Sequence, residues 1–127
     1  MNLFVRLIIS FAALVAFSAE AADITGEWRA TIVTATEQSD YTFVFRQNGG
    51  RLIGTAKSRD GVTAISNGYI NYKTITFTEN VTVEGRRVVL DYTGELLVSD
   101  TEIRFKREAP GTANPAVQFV ATRVGAP

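Results

Sequence analysis

The hydrophobic residues of this chain begin as a block and then settle into alternation. Leu7 to Phe17 is almost continuously apolar, after a short start, Met1 to Arg6, that carries one basic side chain. From residue 22 onward no segment sustains a helical period. Apolar and polar residues instead alternate with a period of two, between clusters of Gly, Asn and Asp, which is the pattern of half-buried strands. Eight strands are predicted, at about 25–34, 40–47, 51–58, 62–70, 74–83, 87–96, 101–108 and 116–123. Trp28, Ala30 and Ile32 share a face of the first, and Tyr41, Phe43 and Phe45 a face of the second. Ile75 and Phe77, Ile103 and Phe105, and Val117, Phe119 and Ala121 point inward later in the chain, whereas the fourth strand has no consistent inward parity. Asn48-Gly49-Gly50, Asp60-Gly61, Asn71-Tyr72-Lys73, Gly85 and Ser99-Asp100 supply the turns, since these residue types tolerate positive φ or local side-chain hydrogen bonds.

Short strands at even spacing fit an all-β fold, specifically an eight-stranded antiparallel up-and-down β-barrel. Gly54, Gly68 and Gly94 fall inside strands, as tight coiling of such a sheet requires. A Gly-containing strand followed by an I-x-F strand occurs twice, at 68–77 and 94–105, which two hairpins obeying the same rules explain better than a duplication, since the spacings differ by two residues.

The leading apolar block is too short for a membrane span and is read as a signal peptide, 1–21, cleaved after Ala19-Glu20-Ala21. A retained anchor helix is the alternative. No Cys follows the block, so a lipoprotein anchor is excluded. Residues 22–127 then form a single β-barrel domain, periplasmic or secreted, with no stable membrane anchor after cleavage.

Composition narrows the chemistry. Thirteen basic and 13 acidic residues balance, leaving no basic stripe for nucleic acid. The chain has no Cys and no His, hence no disulfide, no thiolate and neither of the commonest general bases and metal ligands. No cofactor and no metal site are expected.

Gly26-Glu27-Trp28 opens the first strand and Arg123 ends the last. In an eight-stranded up-and-down barrel those positions meet at one end, both facing inward, where a guanidinium over an indole is worth about 0.5–2 kcal/mol. This resembles the calycins, and lipocalins in particular, which carry G-x-W in the first strand and a late Arg packed across the Trp. The size is closer to avidin. The chain also looks like small exported bacterial proteins with F-x-F…N-G…L-x-G-T strands, here Phe43-Val44-Phe45, Asn48-Gly49 and Leu52-Ile53-Gly54-Thr55. What the calycin resemblance implies is a barrel-closing Trp28–Arg123 pair and a cup open at the other end.

Two charges break the inward parity near that open end. Glu79 follows Ile75 and Phe77, and Arg107 follows Ile103 and Phe105. A bulge at Glu79-Asn80 would turn Glu79 outward, and Arg107 could reach solvent from its strand end. Alternatively both line a mouth with Tyr41, where Arg107 pairs with the carboxylate of an amphipathic ligand. Phe43, Tyr92, Phe105 and Phe119 either line a cavity beneath or fill the core. The candidate ligand-binding set is thus Tyr41, Phe43, Glu79, Tyr92, Phe105, Arg107 and Phe119, with no catalytic residue assigned. Three functions compete: a barrel binding a small hydrophobic or amphipathic ligand, a filled barrel acting as a structural or protein-interaction domain through outward residues such as Val44, Tyr69 and Val89, and, last, a cofactor-free isomerase or cyclase.

Overall fold

The computed structural model describes residues 22–97 and 99–125, so the expected leader, 1–21, lies outside the described residues. Eight strands follow one another: β1 Gly26–Val33, β2 Gln38–Asn48, β3 Arg51–Ser58, β4 Gly61–Asn71, β5 Thr74–Val83, β6 Arg86–Leu96, β7 Glu102–Glu108 and β8 Val117–Arg123. Each pairs antiparallel with the next, and β8 pairs with β1, closing the barrel. The bounds agree with the alternation pattern to within two residues. Turn chemistry accounts for the meander. Gly49 (φ 62°), Tyr72 (φ 55°), Gly85 (φ 78°) with Glu84 (φ 51°), and Asp100 (φ 57°) all take left-handed backbone conformations at the reversals.

Most inward positions are apolar, and Arg29, Arg46, Lys57, Glu95, Arg104 and Lys106 face out, the reverse of a barrel whose outer band meets lipid. The barrel is filled. Phe43 lies at its centre, its ring 5.8–6.2 Å from those of Tyr41, Phe45, Phe77, Tyr92, Phe105 and Phe119. Space for so many rings comes from a missing side chain. A Cβ on Gly94 would sit 2.5 Å from Cε1 of Phe105, so glycine there lets the ring lie flat against β6.

The ambiguous fourth strand has a physical cause. Its inward residues are Thr63 and Ile65, then Gly68 and Ile70, a step of three in the middle of an alternation of two. The registers with β3 and with β5 both slip across this stretch, and Asn67 adopts a φ of 52°. One extra residue in β4 forms a bulge there, with the αL conformation that Asn tolerates best after Gly. Gly68 lies so close to the Leu52 carbonyl that any Cβ would strike it, and the sheet bends sharply at this point.

The end where β1 starts and β8 finishes is plugged. Trp28 and Arg123 are direct register partners, and the Arg123 guanidinium lies 4.5 Å from the centroid of the buried indole. The indole N–H donates to the Ile24 carbonyl at 2.9 Å. Arg123 also donates to the carbonyls of Thr25 (3.1 Å) and Asp23 (2.9 Å), drawing residues 23–25 across the opening with Ile24 fully buried. Gln47 holds the same segment from β2, accepting from the Ile24 N–H and donating to the Ala22 carbonyl. The lid of this end is therefore backbone, pinned by the Arg123 guanidinium together with the Trp28 indole and the Gln47 amide.

Candidate functional site

At the opposite end the strands are uneven, and their unevenness builds a groove. β5 and β6 stay paired from Thr74↔Glu95 out to Val83↔Arg86. β4 leaves β5 at Ile65↔Glu79, however, and β7 leaves β6 at Asp91↔Glu108. Residues 80–90 therefore project beyond the rim as a two-stranded ribbon. By alternation its barrel-side face carries Val81, Val83, Val88 and Leu90. Facing the ribbon are the β1–β2 loop, 34–37, and the loop after β7, which contains Pro110, Gly111 and Pro115. Between them lies a cleft of about 650 Å³ lined by Val33, Val83, Leu90, Arg107, Pro115 and Val117, among others.

Arg107 forms part of the cleft wall. Its Cζ lies 5.8 Å from the Tyr41 ring centroid, a cation–π contact, and in register it stands opposite Tyr92. Burial disfavours the Arg107 charge, but the oxygens of Tyr92 and Tyr41 more than offset this, so its pKa rises above the ordinary value. None of the ion pairs among the described residues includes Arg107; the acids of the cleft are engaged elsewhere, Glu37 with Arg59 and Glu108 with Lys106.

Within reach of this cation's charge sits a buried carboxyl. Glu79 is 2 % exposed, the one buried charged residue among those described. No bulge turns it outward: Thr78↔Asp91, Glu79↔Leu90 and Asn80↔Val89 run without a break in register. Tyr92 donates its phenol hydrogen to Glu79 Oε1 at 2.7 Å. Desolvation pushes the Glu79 pKa above its ordinary 4.5, against the opposing influence of the Tyr92 bond, the Thr63 hydroxyl and the Arg107 charge. Tyr92 is itself raised, first by burial and then by the Glu79 charge, so it remains a neutral donor. With Ser58 bonded to the Tyr41 phenol, Ser58, Thr63, Tyr41, Glu79, Tyr92 and Arg107 make a polar cluster at the cleft end of the packed rings.

The carboxyl pKa has a consequence for stability. A carboxyl whose folded value is raised favours the native state while protonated, and that contribution fades as pH climbs from the unfolded value through the folded one. Replacing Glu79 by Gln removes the titration. The stability of Glu79→Gln relative to wild type is therefore expected to rise steadily as pH increases above 4.5. Urea unfolding of both proteins from acid to neutral pH checks this; parallel stability curves would contradict it.

Of the residues picked out in the sequence, Tyr41, Glu79, Tyr92 and Arg107 come together at the mouth. Phe43, Phe105 and Phe119 lie below them, buried and packed on one another. Trp28 and Arg123 meet at the far end. Alternation alone did not single out Thr63, because the β4 bulge hides its parity, nor the apolar cleft residues Val33, Val83 and Leu90. The alternation of Leu90 with Tyr92 along β6 was the available signal for the last of these. Val44, Tyr69 and Val89 are exposed on the outer wall as expected, at 45 %, 50 % and 44 %. Among the described residues no group of three or more acidic side chains is placed to hold a metal ion, and no helix is long and apolar enough to cross a membrane. The chain matches no family model, and searches of curated proteins and of solved structures find no match.

Proposed function

We propose that this protein is an exported, calycin-like barrel that binds a small amphipathic molecule at its mouth, head group on Arg107 and apolar portion along the ribbon. The observation that carries this reading is the half-buried Arg107, which joins none of the ion pairs among the described residues, in the wall of a cleft whose other lining residues include Val33, Val83, Leu90 and Val117. Pockets that bind small ligands combine apolar walls with a few placed polar groups in about this volume. The closed eight-stranded architecture is consistent with a calycin-like fold. The packed rings behind the polar cluster direct the ligand to the cleft, outside the barrel interior. Export follows from the leader read in residues 1–21, with the mature chain free in the periplasm or the medium.

Isothermal titration calorimetry with decanoate tests the reading. Wild type is expected to bind, and Arg107→Ala to bind at least about tenfold more weakly, since a charge-assisted pair in a partly desolvated site is worth about 1.5–3 kcal/mol. Equal affinity in the two proteins would remove Arg107 from the site. A second reading, a filled barrel that works through its outer wall, is favoured by the continuous aromatic interior and by the exposed Val44, Ile53 and Tyr69 on neighbouring strands. Absence of any binding heat with decanoate would leave that reading in place.

A further inference from the structure

We infer that binding at the mouth is proton-linked: an anionic head group on Arg107 is held tightly while the Glu79 carboxyl keeps its proton, and is released as that proton leaves. This rests on the mouth being the ligand site, and it assigns Glu79 a role beyond packing. The geometry is a relay of three side chains on adjacent strands. Glu79 of β5 accepts from Tyr92 of β6 at 2.7 Å, and Tyr92 stands opposite Arg107 of β7. Glu79 is sealed from water, whereas Arg107 is half-buried and lines the cleft.

The groups around Glu79 leave it one charged neighbour. β4 presents Ile65 and the Thr63 hydroxyl, β6 presents Leu90 and the neutral Tyr92 phenol, β2 presents the neutral Tyr41 phenol, and β7 presents Arg107. The carboxylates of the cleft, Glu37 and Glu108, are exposed and paired with Arg59 and Lys106. Glu79 and an incoming anion therefore compete for the same guanidinium. With Glu79 neutral, Arg107 is free to pair with a carboxylate or sulfonate from solution. With Glu79 ionised, the guanidinium is partly neutralised by it, and two anions would share one cation, an arrangement that disfavours the second. By reciprocity the bound anion raises the affinity of Glu79 for its proton. The ligand class this selects is a monoanion with a short apolar tail, taken up at lower pH and let go at higher pH.

Decanesulfonate is the probe of choice, because its head group does not titrate between pH 5 and pH 8.5. Calorimetric titrations across that range are expected to show affinity falling with rising pH, by up to about tenfold per pH unit where Glu79 titrates. Glu79→Gln is expected to bind at the low-pH strength throughout, with no slope. Tyr92→Phe removes a hydrogen bond that favours the ionised carboxyl, so the midpoint of the wild-type slope should move to higher pH. That variant keeps the test open if Glu79→Gln fails to give a native circular dichroism spectrum. A flat wild-type profile, an unchanged slope in Glu79→Gln, or a midpoint moved downward by Tyr92→Phe would overturn the linkage. If Arg107-dependent binding persists without a Glu79-dependent slope, the linkage falls and the mouth reading stands. If neither decanesulfonate nor decanoate binds at any pH, both fall.

Discussion

Trp28→Ala is expected to destabilise the fold by about 3–5 kcal/mol, the usual cost of truncating a buried indole. Three effects add at this one position. The side chain is fully buried, so its truncation leaves a large void at the plugged end. The Arg123 guanidinium loses the ring it lies on at 4.5 Å, a contact worth about 0.5–2 kcal/mol. The Ile24 carbonyl loses the indole donor that holds it, and with it part of the tie on residues 23–25. Equilibrium unfolding in urea, followed by circular dichroism, measures the sum. Arg123→Met separates the parts, since it keeps an apolar stem over the indole and deletes the donors to Asp23 and Thr25. Its loss should be smaller than that of Trp28→Ala but should free the N-terminal segment to proteolysis. A cost below about 1 kcal/mol for Trp28→Ala, the range of surface substitutions, would mean the plug does not close the barrel.

A comparable loss, about 3–5 kcal/mol, is expected for Phe43→Ala. Phe43 is fully buried, and its ring lies within 6.2 Å of six other aromatic rings. Packed ring pairs contribute about 0.5–1.5 kcal/mol beyond the area they bury, and the surrounding strands are closed on all sides and have little freedom to collapse inward. The truncation should therefore leave an apolar void in the middle of the barrel. Such voids stay dry and accept benzene-sized molecules. Thermal unfolding of Phe43→Ala should shift upward in saturating benzene, while wild type, with its interior filled, should not respond. A wild-type response of equal size would show that the interior already has room, and the candidate site would move from the rim to the core.

How far the chain could be read before folding varies by position, and the reasons are local. Trp28 and Arg123 could be paired because a meander of eight strands has only one seam, and parity assigns both residues to its inner side. The turns were legible because Asn48-Gly49 and Glu84-Gly85 each need a positive φ that few residues tolerate. β4 resisted because a bulge adds one residue and swaps the two faces midway, marked in the chain by Asn67 and Gly68. Glu79 was open for the opposite reason. A carboxyl in an inward position invites the idea of a bulge, yet the register runs straight and Tyr92 satisfies the group instead. Alternation pointed to Arg107 and carried a signal for Leu90, single residues of the cleft, but it did not show the shape of the cleft. It arises from the different heights at which β4 and β7 leave the β5–β6 pair, and strand-end mismatch is a property of three-dimensional register. The burial of Ile24 was hidden similarly, because it lies outside any strand and depends on Arg123 reaching back 98 to 100 residues.

That reach also bears on how the molecule assembles. Every pairing but one joins strands adjacent in sequence, so seven hairpins can form with short loop closures. The remaining seam joins the two ends of the chain, with Trp28↔Arg123 and Arg29↔Thr122 as its register pairs against eight for β1 and β2. Closure there carries the largest entropic cost and has the fewest ladder bonds to offset it. Three Arg123 contacts, to the indole and to the carbonyls of Thr25 and Asp23, cross this seam in addition to the ladder. Until they form, β1 and β8 are bare edges on a newly made sheet, the state in which a chain of this kind would pair with its neighbours instead of with itself. The cation at the plugged end thus stands at the one seam whose closure removes both edges.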